Sequence, residues 1–82
     1  MLVEVLYFAG LKERLGIERE ELMLPSDPCP LDDVIRTLVD RHPEIGHSLS
    51  SLRFAINEAF QPGTALVRPG DVVALIPPVS GG

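Results

Sequence analysis

Few residues in this 82-residue chain have types and spacing that could do chemistry, and the clearest group is at its end: Ile76-Pro77-Pro78-Val79-Ser80-Gly81-Gly82. Gly81 and Gly82 carry no Cβ, so their backbone can thread a narrow channel and take angles that other residues resist. Pro77 and Pro78 have restricted φ and no amide proton, which holds the segment before the tip extended and directs it away from a sheet. Val79 offers a small apolar anchor and Ser80 a weak polar contact. A stiff base with a slim tip suits insertion into another molecule. Such a tip ends in the Gly82 carboxylate, and a free carboxylate is by itself a poor electrophile. Two glycines alone would equally suit a flexible end.

The other candidates are weaker. Cys29 stands between Pro28 and Pro30 with no histidine near it in sequence, and reads as a loop thiol and not a nucleophile. Being the single cysteine, it excludes an internal disulfide and a multi-cysteine zinc site, and it fits a reducing compartment. His42 and His47 have no third ligand type arranged around them, so no metal is assigned. Asp32, Asp33 and Asp40 read as a solvated helix face, and Lys12 and Arg14 as the polar face of a short helix. Arg53 and Arg68 can each meet an acidic patch on a partner or simply be solvated. No constellation within the chain looks like an active site.

Length and composition bound the rest. Eighty-two residues make one domain with a modest core, and 45% apolar with 23% charged residues is a globular balance. A net charge of −5, with only seven lysines and arginines, argues against nucleic-acid binding, which needs a basic face. No basic segment followed by an apolar stretch opens the chain, and no apolar run approaches membrane-spanning length. The expectation is a cytoplasmic protein with no membrane contact.

These residues must be positioned by a small set of elements. Residues 2–8, LVEVLYF, form a strand with Val3, Val5 and Tyr7 inward and Glu4, Leu6 and Phe8 on the outer face. AGLKERLG (9–16) gives one or two helical turns closed by Gly16, and REELML (19–24) returns as a strand ended by Pro25, an opening hairpin. PSDPCP (25–30) is a stiff connector that cannot continue a strand. Leu31, Val34, Ile35, Leu38 and Val39 then mark one helical stripe. In that helix Pro30 suits the first position, Asp32 and Asp33 the positive end of the dipole, and Arg36 lies within reach of Asp32. Pro43 stops it. Burial of the five aliphatic side chains at ~1.5–3 kcal/mol each makes it the principal core element. A polar stretch (44–51) leads to the strand RFAIN (53–57), an irregular segment (58–71) with two turn signals, and VVALI (72–76), apolar enough to be a central strand.

The order is β, short turn, β, helix, β, irregular segment, β. One helix packed across a mixed sheet, with first and last strands parallel neighbours, is an α+β two-layer roll, the β-grasp or ubiquitin-like fold. Residues 1–76 would form the body and 77–82 the extended tail.

At this point the sequence resembles a known family, the small subunit of molybdopterin synthase, or MoaD-like sulfur carriers. The likeness covers nearly the whole chain: VEVLYFAGLKERLG (3–16), the helix exit RHPEI (41–45), RFAIN, and the close GDVVALIPPVSGG (70–82), of which PPVSGG is the most specific part. The resemblance implies a carrier that binds no cofactor and whose last glycine, Gly82, becomes a thiocarboxylate. It implies two partners. A MoeB-like adenylyltransferase of the ubiquitin-activating type would spend ATP on Gly82, and a larger MoaE-like synthase subunit would receive the tail and convert a pterin precursor to molybdopterin in molybdenum cofactor biosynthesis. The catalytic side chains are expected in that larger subunit, within a heterotetramer. Phe8, Phe60 and Ile76 match family positions that pack against partners. Phe60 can equally cover a core edge beneath an irregular loop. Rival readings are a carrier for thiamine thiazole or tRNA thiolation, a ubiquitin-like protein modifier, and an interaction module with an inert tail.

Overall fold

The structure, a computed structural model, describes residues 1–78. Val79, Ser80, Gly81 and Gly82, the expected tip, lie outside the described residues. Strand β1 (Leu2–Tyr7) buries alternate side chains, Val3, Val5 and Tyr7, as its period-2 pattern requires. Helix α1 (Ala9–Leu15) is a seven-residue link that buries Leu11 and ends at Gly16, whose φ of 75° lets its N–H close onto the Lys12 carbonyl at 2.9 Å. Strand β2 (Arg19–Met23) then pairs antiparallel with β1, Val5 opposite Glu20.

Helix α2 (Leu31–Arg41) buries Leu31, Val34, Ile35 and Leu38, with Val39 half-buried at the edge of the core. Asp32 and Asp33 lie in its first turn and Arg41 in its last, complementary to the dipole. Its free N-terminal amides find main-chain partners: Leu31 N–H donates to the Ala65 carbonyl at 2.8 Å and Asp32 N–H to that of Gly63 at 2.9 Å. The loop at 62–65 is thereby fastened to the helix start. The Asp32 carboxylate occupies the space where a Cβ on Gly63 would stand, so a side chain there would make that carboxylate rotate away. That contact corrects one expected pairing: Arg36 meets Asp33 at 3.0 Å, while the Asp32 carboxylate lies over Gly63. Pro30 immediately precedes the helix as its N-cap residue and is not its first helical residue.

Three further departures have physical reasons. The connector 25–30 ends in a two-residue strand, β3 (Cys29–Pro30), because proline removes a donor but keeps its carbonyl, and a two-residue ladder with β6 (Leu66–Val67) tolerates the loss. Cys29 is consequently a buried thiol in a small second sheet, not a loop thiol. The polar stretch is a 3₁₀ helix, Pro43–Ser51, that turns one side chain, Ile45, fully into the core. The irregular segment contains β5 (Ala59–Phe60) as well as β6.

Strands β4 (Arg53–Ile56) and β7 (Val72–Ile76) complete the main sheet, whose order is β2-β1-β7-β4-β5. The last strand is central, parallel to β1 and antiparallel to β4. With α2 across one face this is the β-grasp, ubiquitin-like roll. Among the described residues no polar or charged side chain is buried, so apolar packing holds the two layers together.

Candidate functional site

The face of the sheet opposite α2 carries the candidate site, and strand register builds it. Leu6 on β1 stands beside Ala74 on β7, Ala74 beside Ala55 on β4, and Ala55 beside Phe60 on β5. Two methyl side chains in mid-row with large ones at its ends leave a depression of about 180 Å³. Phe8 and Ile76 close one side of it and Val72 and Glu58 the other. Phe8 is 43% exposed and Phe60 55%, so Phe60 faces solvent and does not cover a core edge. The Arg53 guanidinium lies over the Phe60 ring, 3.9 Å from its centroid.

The rim is held by a turn. Asn57 and Glu58, with φ of 50° and 71°, are the two loop residues between β4 and β5, a turn with both centres left-handed. The Asn57 amide donates to Asp71 Oδ1 at 2.9 Å and its oxygen accepts from Val72 N–H at 2.9 Å, while Asp71 Oδ2 accepts from Arg68 N–H at 2.9 Å. This ties the turn to the start of β7 and fixes Glu58 and Phe60 against the depression. Asn57 is legible as a turn former; its pairing with Asp71 has no local signal.

At the other end of β7, Ile76 leads into Pro77, half-buried, and Pro78, exposed. Pro77 and Pro78 border a groove of about 550 Å³ together with Phe8, Arg14 and Ser48. Arg14 donates to Ser48 Oγ at 3.2 Å across it. Phe8 therefore lines both hollows, and Phe8, Phe60 and Ile76, the three positions that the family resemblance singled out, surround one depression beside Pro77.

Sequence reasoning missed a polar cluster on the helix side. The Tyr7 hydroxyl donates to Glu20 Oε2, His42 Nε2 lies 2.7 Å from the same oxygen, and Arg41 Nη1 donates to Glu20 Oε1 at 2.7 Å. The Tyr7 and His42 rings meet edge to face, centroids 6.0 Å apart. Burial drives the Glu20 carboxyl upward, but hydrogen bonds from Tyr7, Arg41 and His42 outweigh it and hold the group below its ordinary value. Burial first, then the bond to Glu20 and its charge, push the Tyr7 phenol far above its usual range. The cluster fastens the end of α2 to the hairpin. The available signal was Tyr7 itself: an inward tyrosine needs a partner for its hydroxyl.

Among the described residues no group of three histidine, cysteine or acidic side chains is arranged for a metal ion, and no helix is long and apolar enough to cross a membrane.

A β-grasp body with an apolar depression beside the end of its last strand places the chain in the class of ubiquitin-like proteins. The model of the ThiS family matches residues 5–82. The molybdopterin synthase sulfur carrier subunit of Chlamydomonas reinhardtii is 34% identical over the full length of both chains. Among solved structures, SAMP1 from Haloferax volcanii superposes with a TM-score of 0.89 at 26% identity, covering all of both chains. The complex of subunits 1 and 2 of molybdopterin-converting factor from Helicobacter pylori gives 0.72 at 26%, again over both whole chains. The chain belongs to the ThiS family and, within it, to the MoaD-like molybdopterin synthase sulfur carriers. Members of this group are carrier subunits and not catalysts.

Proposed function

We propose that this chain is the sulfur carrier subunit of a molybdopterin synthase, with residues 1–76 as body and 77–82 as the tail that enters partner active sites. The observation that carries the reading is the match to sulfur carrier subunits along the whole chain, tail included. The depression around Phe8, Phe60 and Ile76 supports it, as a docking face beside the tail root. In the first step the Gly82 carboxylate oxygen attacks the α-phosphorus of ATP on a MoeB-like adenylyltransferase, and pyrophosphate leaves. Hydrosulfide then attacks the carbonyl carbon, AMP leaves with the electron pair of the broken C–O bond, a proton passes to water, and a thiocarboxylate remains. The tail next enters a MoaE-like subunit, where that sulfur passes to a pterin precursor for molybdenum cofactor biosynthesis. Gly81 and Gly82 serve by slimness, Pro77 and Pro78 by reducing the entropy lost on docking, and Val79 and Ser80 by small anchoring contacts.

The test is intact-protein mass spectrometry after incubation with ATP, a ubiquitin-activating-type enzyme from the same organism and a sulfide source. Exchange of one oxygen for one sulfur, confined to the C-terminal peptide and absent after deletion of Gly82, supports the carrier. No change, with the enzyme active on another carrier, removes it. A second reading, protein modification, draws on the likeness to SAMP1, a small archaeal modifier protein. Isopeptide-linked adducts on other proteins, in place of thiocarboxylate, would favour it.

A further inference from the structure

A two-residue hairpin loop with both centres left-handed ordinarily reads Asn-Gly, because glycine takes the second position without strain. This chain has Asn57-Glu58 there, at φ of 50° and 71°. Asn57 is explained by its bonds: its N–H donates to the Val72 carbonyl at 2.8 Å, and its side chain joins Asp71 and Val72. Those bonds hold the turn in its strained conformation, and none of them calls for a glutamate as the next residue. Glu58 is exposed, and among the described residues it enters no ion pair. The pairs present join Lys12 to Glu18, Arg19 to Glu4, Arg36 to Asp33, and both Arg41 and His42 to Glu20. The turn thus presents a carboxylate despite backbone strain, and the body itself makes no use of that charge.

Glu58 and Val72 close one side of the sheet depression, and Phe8 and Ile76 the other. At that second side the charge is reversed. Arg53 is the cross-strand partner of Ile76, and its guanidinium is held at the rim by the Phe60 ring. A hollow of about 180 Å³, floored by Ala55 and Ala74, therefore has an acid at one end and a base at the other. The acid is placed by its turn and the base by its stack. Apolar burial is non-directional. Opposite charges at the two ends of a hollow are not, since a segment that satisfies both can lie only one way round.

We propose, resting on the docking role of the depression, that Glu58 orients the body on the large synthase subunit by pairing with a lysine or arginine of that subunit. The occupant has a defined chemistry: a large apolar side chain fills the hollow, a base lies beside it at Glu58, and an acid lies beside it at Arg53. The base stands far from Ile76 and the acid near it. A segment docked backward sets base against Arg53 and acid against Glu58, so the wrong orientation is opposed as well as the right one favoured. By holding the body one way round, Glu58 determines on which side of the partner Pro77 and Pro78 emerge.

The experiment measures binding of the full chain, with its free carboxylate, to the purified large subunit from the same organism by calorimetry. It is done at low salt and at about 1 M salt, where the Debye length falls to ~3 Å. The variants are Glu58→Gln, Glu58→Gly, Glu58→Lys and, as an acid away from the sheet, Glu44→Gln in the first turn of the 3₁₀ helix. At low salt Glu58→Gln and Glu58→Gly should bind roughly fivefold more weakly than the parent and Glu58→Lys more weakly still, while Glu44→Gln matches the parent. At high salt the neutral variants should converge on the parent. Glu58→Gly is the sharpest arm: glycine relieves the turn, so a loss of affinity in a body that melts no lower than the parent belongs to the missing carboxylate. Parent-like affinity of Glu58→Gln or Glu58→Gly at low salt overturns the proposal, as does a loss shared by Glu44→Gln or one undiminished by salt. Ala74→Leu, which fills the hollow, reads the docking face by itself. If that variant binds like the parent, or the parent does not bind, the docking role fails and the proposal with it; if it binds weakly while the Glu58 variants bind normally, only the role of Glu58 is lost.

Discussion

Glu20 shows how much one side chain can hold in a body this small. It takes hydrogen bonds from Tyr7 on β1 and from Arg41 and His42 at the end of α2, so its loss leaves three donors without their acceptor. Glu20→Gln should lower stability by about 1–3 kcal/mol at neutral pH, read from urea midpoints. The pH dependence follows from direction. The folded Glu20 carboxyl sits below its unfolded value, so its contribution is present above the ordinary carboxylate range and is lost as pH falls through the folded value. Tyr7 is shifted upward, so its contribution holds below the ordinary phenol pKa of ~10 and declines at higher pH. Tyr7→Phe should therefore flatten the alkaline limb of the stability profile; an unchanged limb would separate the phenol from it. On the opposite face, Ala74→Leu should fill the depression, leaving the body folded and weakening capture by the large synthase subunit about tenfold or more in a pull-down titration.

At the scale of elements, those with a period or a clear stop were legible, the short α1, β2 and β4 included, and the two-residue strands were not. The α2 stripe, the β1 alternation and the apolar run of β7 are each long enough to declare a period, and the structure has them within a residue or two. Ile35→Ala, 5% exposed within the stripe, should cost about 2–5 kcal/mol. Two-residue strands such as β3, β5 and β6 have no period to read; register with distant partners makes them. The same holds for Ile45, one apolar residue in a polar stretch, whose burial depends on where the 3₁₀ helix crosses the core. Glu58 belongs to this scale too. Its left-handed φ of 71° is a conformation that glycine takes freely, so Glu58→Gly should stabilise the body by about 1 kcal/mol in thermal unfolding. A variant no more stable than the parent would mean that the Glu58 side chain offsets the strain.

For the molecule as a whole, element order was enough for the fold because the β-grasp follows from which strands neighbour which. The order of β7 between β1 and β4 decides this, and an apolar last strand announces its central place. Phe8, Phe60 and Ile76 were named from sequence through family likeness, and parallel first and last strands already bring Phe8 near Ile76; that Phe60 joins them around a hollow floored by two alanines was not legible, since it depends on cross-strand register. Among the described residues the buried core runs from Val3 to Leu75. Deleting Gly81 and Gly82 should accordingly leave the melting temperature unchanged while removing all sulfur transfer, a pairing that a tail built into the core would not give.

The parallel pairing of β1 with β7 has a mechanical consequence. The chain enters the sheet at the start of one strand and leaves from the far end of its neighbour, so a pull on the tail against the N-terminus slides the two strands past each other and loads their hydrogen bonds together instead of one at a time. β4 grips β7 from its other side. The end of the chain is thus continuous with the strand best able to resist traction, and tension applied there should meet the hydrogen bonds of both β1 and β4 before it unravels the body.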